Sequence, residues 1–209
     1  MDPIKKTIES YNKFAKNYVE YTFDTILQYQ LTQFISFLKG KKILDVGAGS
    51  GRDAQYLKEE GLKVTGIELS PEVIKEAKRK TRLSFKEMDM RKLDFKDTGF
   101  DGVWCCASFI HLPKKDAEKA LKEFHRVLTE NGVLYLGLKE GEKEGFESSH
   151  KLNNSDVYVS HYVQEEIEEK LRDCDFEIIT TYIEKDAEGI SWINTFARKL
   201  TIKKLDTKK

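Results

Sequence analysis

Apolar residues recur along this chain with two alternating periods. Residues 4–20 set Ile4, Ile8, Tyr11, Phe14, Ala15 and Tyr18 three and four positions apart, the stripe of an amphipathic helix. Residues 24–39 repeat the stripe with Ile26, Leu27, Leu31, Phe34, Ile35 and Leu38, opening at a capping Asp24 and stopping at Gly40. The pattern then changes: Ile43-Leu44-Asp45-Val46 has the run of a short buried strand, and residues 52–60, closed by Gly61, read as helix again. Residues 62–67 predict a second strand. Ser70 and Pro71 supply a cap and a first-turn proline for a helix over 72–80. Residues 83–88 predict a third strand, 93–99 a loop, and 100–107 a fourth strand apolar enough to lie centrally in a parallel sheet. Residues 114–128 are strongly amphipathic, 129–132 form a turn around Asn131-Gly132, and 133–139 make a fifth strand.

Residues 140–160 break the pattern, because Gly141, Gly145, Ser148, Ser149, Asn153, Asn154 and Ser155 interrupt any periodicity. A loop of about twenty residues is unusual in a compact domain. It leaves the fifth strand at the edge where ligands bind, so a lid or substrate-specificity loop is one reading and disorder without function another. Residues 163–174 are the last helix. Residues 176–183 and 191–202, joined by a turn at 186–189, predict an antiparallel hairpin, and 203–209 are a polar tail. Strands alternating with helices point to α/β architecture with a parallel sheet. The division is helices over 1–40, a core over 41–202 and the tail, all in one domain.

Composition narrows the partners. The 209 residues hold 36 Lys and Arg against 36 Asp and Glu, a formal net charge of zero, which disfavours nucleic acid as the main partner. No apolar stretch approaches the length needed to cross a bilayer, so no membrane is expected, and Met1–Lys6 lacks the apolar core of a secretion signal. The cysteines, Cys105, Cys106 and Cys174, form no disulfide or metal framework, and no metal-ligand spacing is present; the expectation is a reducing, cytoplasmic compartment.

The candidate chemistry begins at the first strand. Asp45-Val46-Gly47-Ala48-Gly49-Ser50-Gly51 is a strand end and a glycine turn before a helix, the opening of a nucleotide-type βαβ unit. A carboxylate at this place repels a diphosphate by a few kcal/mol near 4 Å, at about the effective dielectric of a protein surface. The spacing is G-x-G-x-G, not the dinucleotide G-x-G-x-x-G. Asp45 therefore suits a ligand that is cationic where it meets the loop. Glu68 stands at the end of the second strand, about twenty residues on, where doubly wound folds hold a ribose-binding acid. The alternative for Glu68 is an exposed charge at a strand end.

Residues 45–51 resemble the first motif of the class I S-adenosylmethionine (SAM)-dependent methyltransferases. Later segments are similar in the same order, over most of 40–200. The resemblance implies a Rossmann-like, doubly wound, seven-stranded, mostly parallel sheet ending in an antiparallel hairpin, in three α/β/α layers. It implies SAM as cofactor, S-adenosylhomocysteine as product, and cofactor contacts from Asp45, Gly47, Ala48, Gly49, Ser50, Arg52, Glu68, Leu69, Asp89, Met90 and Ala107. Asp89 would meet the adenine amino group and Met90 pack on its ring; as a plain reading Asp89 is a turn residue.

Ser108-Phe109-Ile110-His111-Leu112-Pro113 resembles the fourth motif of the small-molecule subset of this family. Leu128-Thr129-Glu130-Asn131-Gly132-Val133-Leu134 resembles the fifth, with Glu130-Asn131 where Pro-Gly is usual. The acceptor is then a small molecule. His111 is the candidate catalytic residue, facing the transferred methyl, unless it only holds the loop. His161 and Tyr162 are second choices at the acceptor. Tyr11 and Tyr18, a heptad apart on a helix that would cover the cofactor, line the acceptor wall or pack in the core. Methylation of tRNA or protein, a non-catalytic SAM-binding module, and a nicotinamide-dependent oxidoreductase are the competing functions.

Overall fold

The computed structural model describes residues 2–200. Five strands, β1 (Lys42–Val46), β2 (Lys63–Glu68), β3 (Phe85–Glu87), β4 (Phe100–Cys106) and β5 (Leu128–Lys139), run parallel. Labelling the remaining strands in chain order, β8 (Phe176–Lys185) and β9 (Ser191–Lys199) complete the sheet as an antiparallel hairpin, and the order is β3-β2-β1-β4-β5-β9-β8. The expected seven-stranded, mostly parallel sheet is the one observed. β1 is central: Ile43, Leu44 and Val46 have no exposed surface, and the strand pairs with β2 on one side and β4 on the other.

Helices cover both faces. On one, α3 (Gln28–Phe37) and α4 (Arg52–Glu59) bury Leu31, Phe34 and Leu57 against Ile43, Trp104, Tyr135 and Phe196. The contact is close enough that a β-carbon on Gly102 of β4 would lie 2.6 Å from Phe34 Cζ. Beside them α5 (Pro71–Thr81) packs Ile74 and Ala77 with Ala54 and Phe85, and its Ser70 cap accepts from the Val73 N–H at 3.2 Å. On the other face α6 (Ala117–Val127) and α7 (Gln164–Asp173) bury Leu121, Phe124, Ile167 and Leu171 with Val103, Leu134 and Leu136.

Five expectations change. The single helix over 4–20 is two, α1 (Pro3–Lys13) and α2 (Ala15–Thr22), broken at Phe14. The break lets Ile4 and Thr7 face one neighbour while Ala15 and Val19 pack on Val73 of α5. The second helix begins at Gln28, and Asp24 does not cap it. The Arg52 guanidinium holds the Thr22 and Thr25 carbonyls, so the segment between them is kept out of the helix. Gly40 is not a helix stop but a point of close approach: a β-carbon there would sit 2.2 Å from the Asp101 carboxyl carbon, which is fixed by the Lys42 N–H. Residues 129–132 do not end a helix ahead of a separate strand; they bulge out of β5, between the pairs Phe100–Leu128 and Gly102–Val133. The end of the last predicted strand, Thr201 and Ile202, and the tail 203–209 lie outside the described residues.

The largest change is at 140–160. This stretch is a second, two-stranded sheet of β6 (Glu144–Ser149) and β7 (Ser155–Ser160), turned by left-handed Asn153 and Asn154. Its free edge is closed by α1: the Thr7 hydroxyl accepts from the Tyr158 N–H at 2.9 Å, and Ser10 Oγ donates to the Asp156 carbonyl at 2.7 Å. Helix side chains thereby satisfy edge groups that would otherwise invite another strand. Replacing Thr7 by Val should remove the partner of the Tyr158 amide and cost about 1 kcal/mol. A urea titration should show a lower midpoint at unchanged slope, with faster proteolysis inside 144–160. An unmoved midpoint and unchanged cleavage would mean the hairpin docks without this bond.

Candidate active site

The strand order reverses between β1 and β4, and the chain leaves both strands at their carboxyl ends beside a cleft of about 690 Å³, its open mouth included. Doubly wound sheets bind ligands at this place. The turn after β1 needs its glycines. Gly47 and Gly49 have φ of 67° and 53°; a β-carbon on Gly47 would lie 2.2 Å from Ser108 Cβ, and one on Gly49 would lie 2.7 Å from Tyr18 Oη. The turn's N–H groups are largely taken by the protein itself. Ala48 donates to the Ile67 carbonyl at 2.9 Å, Gly51 to the Ala48 carbonyl at 2.9 Å, and Gly49 to Glu68 Oε2 at 3.2 Å. Few donors remain to cradle a phosphate.

Charge beneath the turn is unevenly paired. Asp53 receives Arg52 Nε at 2.7 Å and Nη2 at 3.0 Å, and its Oδ2 accepts from Trp104 Nε1 at 2.9 Å. Asp45, only 2% exposed, is left with Oδ2 bare of any partner. Burial, then the neighbouring Asp53 charge, push the Asp45 pKa well above the ordinary carboxylate range, with Arg52 opposing. Arg52 does not reach the cleft. Its remaining nitrogen grips the Thr22 and Thr25 carbonyls, so it clamps the α2–α3 connection to α4.

Glu68 closes the cleft's second wall. Its Oε1 accepts from the Leu69 and Ser70 N–H groups at 2.7 and 3.0 Å. Burial raises its pKa and these backbone bonds work against the rise. Leu69, Met90 and Ala107 also line the cleft, as do Gly47, Tyr11 and Tyr18. Ala107 sits at φ 53°, a left-handed conformation uncommon without glycine and typical of strained functional turns. Ala48, Gly49 and Ser50 of the turn, and Asp45 beneath it, are not in the lining. Asp89 is not in the lining: burial works to raise its pKa, but Arg91 grips both its oxygens, at 3.0 and 3.1 Å through Nε, and holds it below the usual range. Met88 lines the cleft in its place.

At the far end His111 is held from both sides. Nδ1 lies 2.7 Å from the Tyr158 carbonyl, which can only accept, so Nδ1 carries the hydrogen; Nε2 is then the bare nitrogen and accepts from Tyr11 Oη at 2.9 Å. Burial lowers the His111 pKa, Lys139 lowers it further, and the Tyr158 carbonyl opposes, so the ring is favoured neutral. His161 and Tyr162 are not brought here. His161 Nε2 lies 2.7 Å from Glu147 Oε1, out of line for a hydrogen bond, and Tyr162 is buried with its ring centroid 5.9 Å from that of Phe109. Sequence reasoning missed Thr7, Cys106, Ser108 and Leu112 in the lining. Ser108 and Leu112 left a signal, as members of the Ser108–Pro113 segment.

The arrangement fits SAM and not a dinucleotide: an orphaned buried carboxylate for an ammonium, a second acid for ribose hydroxyls, methionines for an adenine, and a glycine turn with little left for phosphate. The structure therefore shows a doubly wound sheet with a cleft at its switch point whose neighbouring acids, Asp45 and Glu68, suit a cationic ligand. Residues 43–132 match the family model described as a methyltransferase domain, and in fold and order of motifs the chain resembles the class I SAM-dependent methyltransferases. It is 40% identical over 97 residues to a demethylmenaquinone methyltransferase of Chlorobaculum parvum, covering 46% of this chain and 39% of that one. Among solved structures it resembles a SAM-dependent methyltransferase from Methanosarcina mazei, with TM-score 0.72, 24% identity, and coverage of 80% of this chain and 97% of that one. It also resembles the 1,6-didemethyltoxoflavin-N1-methyltransferase of Burkholderia thailandensis, solved with its substrate and S-adenosylhomocysteine, with TM-score 0.69, 23% identity, and coverage of 87% and 81%. The chain spans about 40% of the length of the curated relatives it matches.

Asp45→Ala and Glu68→Ala should each weaken S-adenosylhomocysteine binding by about 1–3 kcal/mol, the effect of leaving polar partners unmet; calorimetry with unchanged affinity in both would refute their roles. The raised Asp45 pKa adds a pH dependence. The folded chain holds this proton more tightly than the unfolded one, so ligand-free stability falls as pH rises from the ordinary carboxylate range through the raised value. An ammonium prefers the ionised form, so affinity should rise over that same window, with proton release, and Asp45→Asn should flatten the rise.

Proposed function

We propose that the protein transfers a methyl group from SAM to a small-molecule acceptor. The observation that carries this reading is the buried, unpartnered Asp45 oxygen beside a glycine turn with few free N–H groups. When bound, SAM would supply a methyl on a cationic sulfonium, a good leaving group that asks for no covalent catalysis. Asp45 would hold the ammonium, Glu68 the ribose hydroxyls, and Met88 and Met90 the adenine. Gly47, Ala107 and Ser108 would form the floor against which the methyl is presented.

The chain's main task is alignment, since effective molarities of ~10⁵–10⁸ M are reached by well-oriented pairs. Tyr11 and Tyr18 would close the cleft from above and keep water from the reacting atoms, while His111 would supply the basic group of the acceptor end. The acceptor end is lined by Ile4, Ile8 and Leu112, which suits a small, largely apolar molecule. Net charge zero argues against tRNA. No helix among the described residues is long and apolar enough to cross a membrane, and the three cysteines are free, in keeping with a cytoplasmic enzyme.

Labelled SAM offered with metabolite pools, and in parallel with tRNA and cell protein, should pass its label to a small metabolite. Label in tRNA or protein alone would transfer the reading to those acceptors, and binding of NAD without S-adenosylhomocysteine would end it. His111→Ala should lower turnover far more than cofactor affinity; if neither turnover nor acceptor KM moves, His111 is scaffolding.

A further inference from the structure

We infer that the acceptor loses its proton through the Tyr11 hydroxyl, with His111 as the base behind it, so that the acceptor is a molecule carrying a weakly acidic hydroxyl. This rests on the methyl-transfer reading above and deepens it.

Both nitrogens of His111 are engaged, one donating to the Tyr158 carbonyl and the other accepting from Tyr11. No lone pair of the imidazole is left for an acceptor molecule. Tyr11, by contrast, lines the cleft and directs its own hydrogen at His111, which leaves its oxygen lone pairs to accept from a ligand. Its position is fixed. Tyr158 binds α1 through its N–H to Thr7 and binds His111 through its carbonyl, so Thr7, Tyr158, His111 and Tyr11 form a closed circuit of hydrogen bonds over three elements. The Tyr11 ring stands edge-on to His111 at 5.4 Å and to Tyr18 at 4.9 Å between centroids.

The cleft's other phenol, Tyr18, holds its Oη over Gly49 at the glycine turn, away from the acceptor end, and the aliphatic hydroxyls are occupied. Thr7 Oγ1 donates to the Pro3 carbonyl, Ser108 Oγ to the Val46 carbonyl at 2.7 Å, and Ser70 Oγ to Asn12 Oδ1 at 2.7 Å. Glu68 is the carboxylate in the lining, and it belongs to the ribose side. A hydroxyl-bearing acceptor in the apolar end therefore meets the Tyr11 oxygen. Burial, with Tyr18 and Glu68 nearby, raises the Tyr11 pKa, so a free phenolate does not accumulate and the two proton movements are coupled.

The step balances. The acceptor O–H gives its proton to Tyr11 Oη as the Tyr11 proton moves to His111 Nε2. The acceptor oxygen's electron pair forms the new O–C bond while the S–C bond breaks and leaves its pair on sulfur. The products are a methyl ether, a neutral thioether and a protonated His111, which returns its proton to water through Tyr11 when the ether departs.

The probes are phenols of graded acidity, from para-methoxyphenol to para-nitrophenol, and dimethyl sulfide, which has no such proton, each with tritium-labelled SAM. Phenols should be methylated and dimethyl sulfide not. Tyr11→Phe and His111→Gln should each lower turnover of para-methoxyphenol by about 10²-fold or more, with the loss shrinking toward para-nitrophenol. The double variant should be no worse than either single one, because the two groups act in series. Nitrogen-15 NMR of histidine-labelled protein should find His111 with its hydrogen on Nδ1, and Tyr11→Phe should move the Nε2 resonance alone. Undiminished turnover in Tyr11→Phe, the opposite tautomer, or no phenol methylated would overturn the inference. Loss of S-adenosylhomocysteine binding in the unsubstituted protein would instead overturn the methyl-transfer reading.

Discussion

An unshared buried charge sets the terms for this molecule. Two carboxylates, Asp45 and Asp53, lie beneath one turn with a single guanidinium between them, and the geometry awards Arg52 to Asp53. An ionised carboxylate buried without a partner costs several kcal/mol, far more than an exposed one. The Ala54 N–H offsets part of that cost at Asp45, and protonating the carboxyl or admitting a cation at its bare Oδ2 would meet the rest. Supplying a second arginine would stabilise the chain and abolish the reason to bind. The vacancy in charge is thus a functional strain of the kind that locates sites in other folds.

That constraint explains the furniture around it. Asp53 also fixes the Trp104 indole, and Trp104 stacks on Tyr135 at 3.9 Å, so the sheet face under α4 is rigid where the carboxylates sit. Arg52 then reaches outward to the Thr22 and Thr25 carbonyls, and α2 is thereby held with Tyr18 over Gly49. The same cation serves the floor and the roof. A ligand that neutralises Asp45 changes the field at Arg52 as well, so cofactor binding and the seating of the N-terminal helices share one set of charges.

How much of this was legible in the sequence follows from the range of each interaction. The glycine turn, the Ser70 cap and the acid at Glu68 rest on neighbours within about twenty positions, where spacing carries the geometry. The β6–β7 hairpin was not legible, because Gly145, Ser148 and Ser149 weaken its alternation. Its stability comes from Thr7 and Ser10, some 150 residues earlier in the chain. Asp24 had the chemistry of a cap, yet a clamp from Arg52 overrode it. Arg52 and Asp89 lay in the right segments, but each found a closer opposite charge next to it or two residues away. His111 lay in the right loop. Its two partners, 100 and 47 positions away, could not be read from local pattern.

Under the proposed methyl transfer, the two ends of the cleft would divide the labour by what that reaction demands. A sulfonium leaves as a neutral thioether, so no group need stabilise a departing anion, and the cofactor end can be anionic throughout. The difficulty moves to the nucleophile. An acceptor with a proton must lose it in a site where burial has already made phenolate and imidazolium unfavourable. A single buried base would have to carry the whole charge. A chain of two groups anchored on the Tyr158 carbonyl distributes it, and an imidazolium formed there gains a stronger bond to that same carbonyl. Because that anchor is tied to the hairpin, such a relay would be assembled only with α1 and the hairpin seated, and the proton would have somewhere to go only once water was shut out.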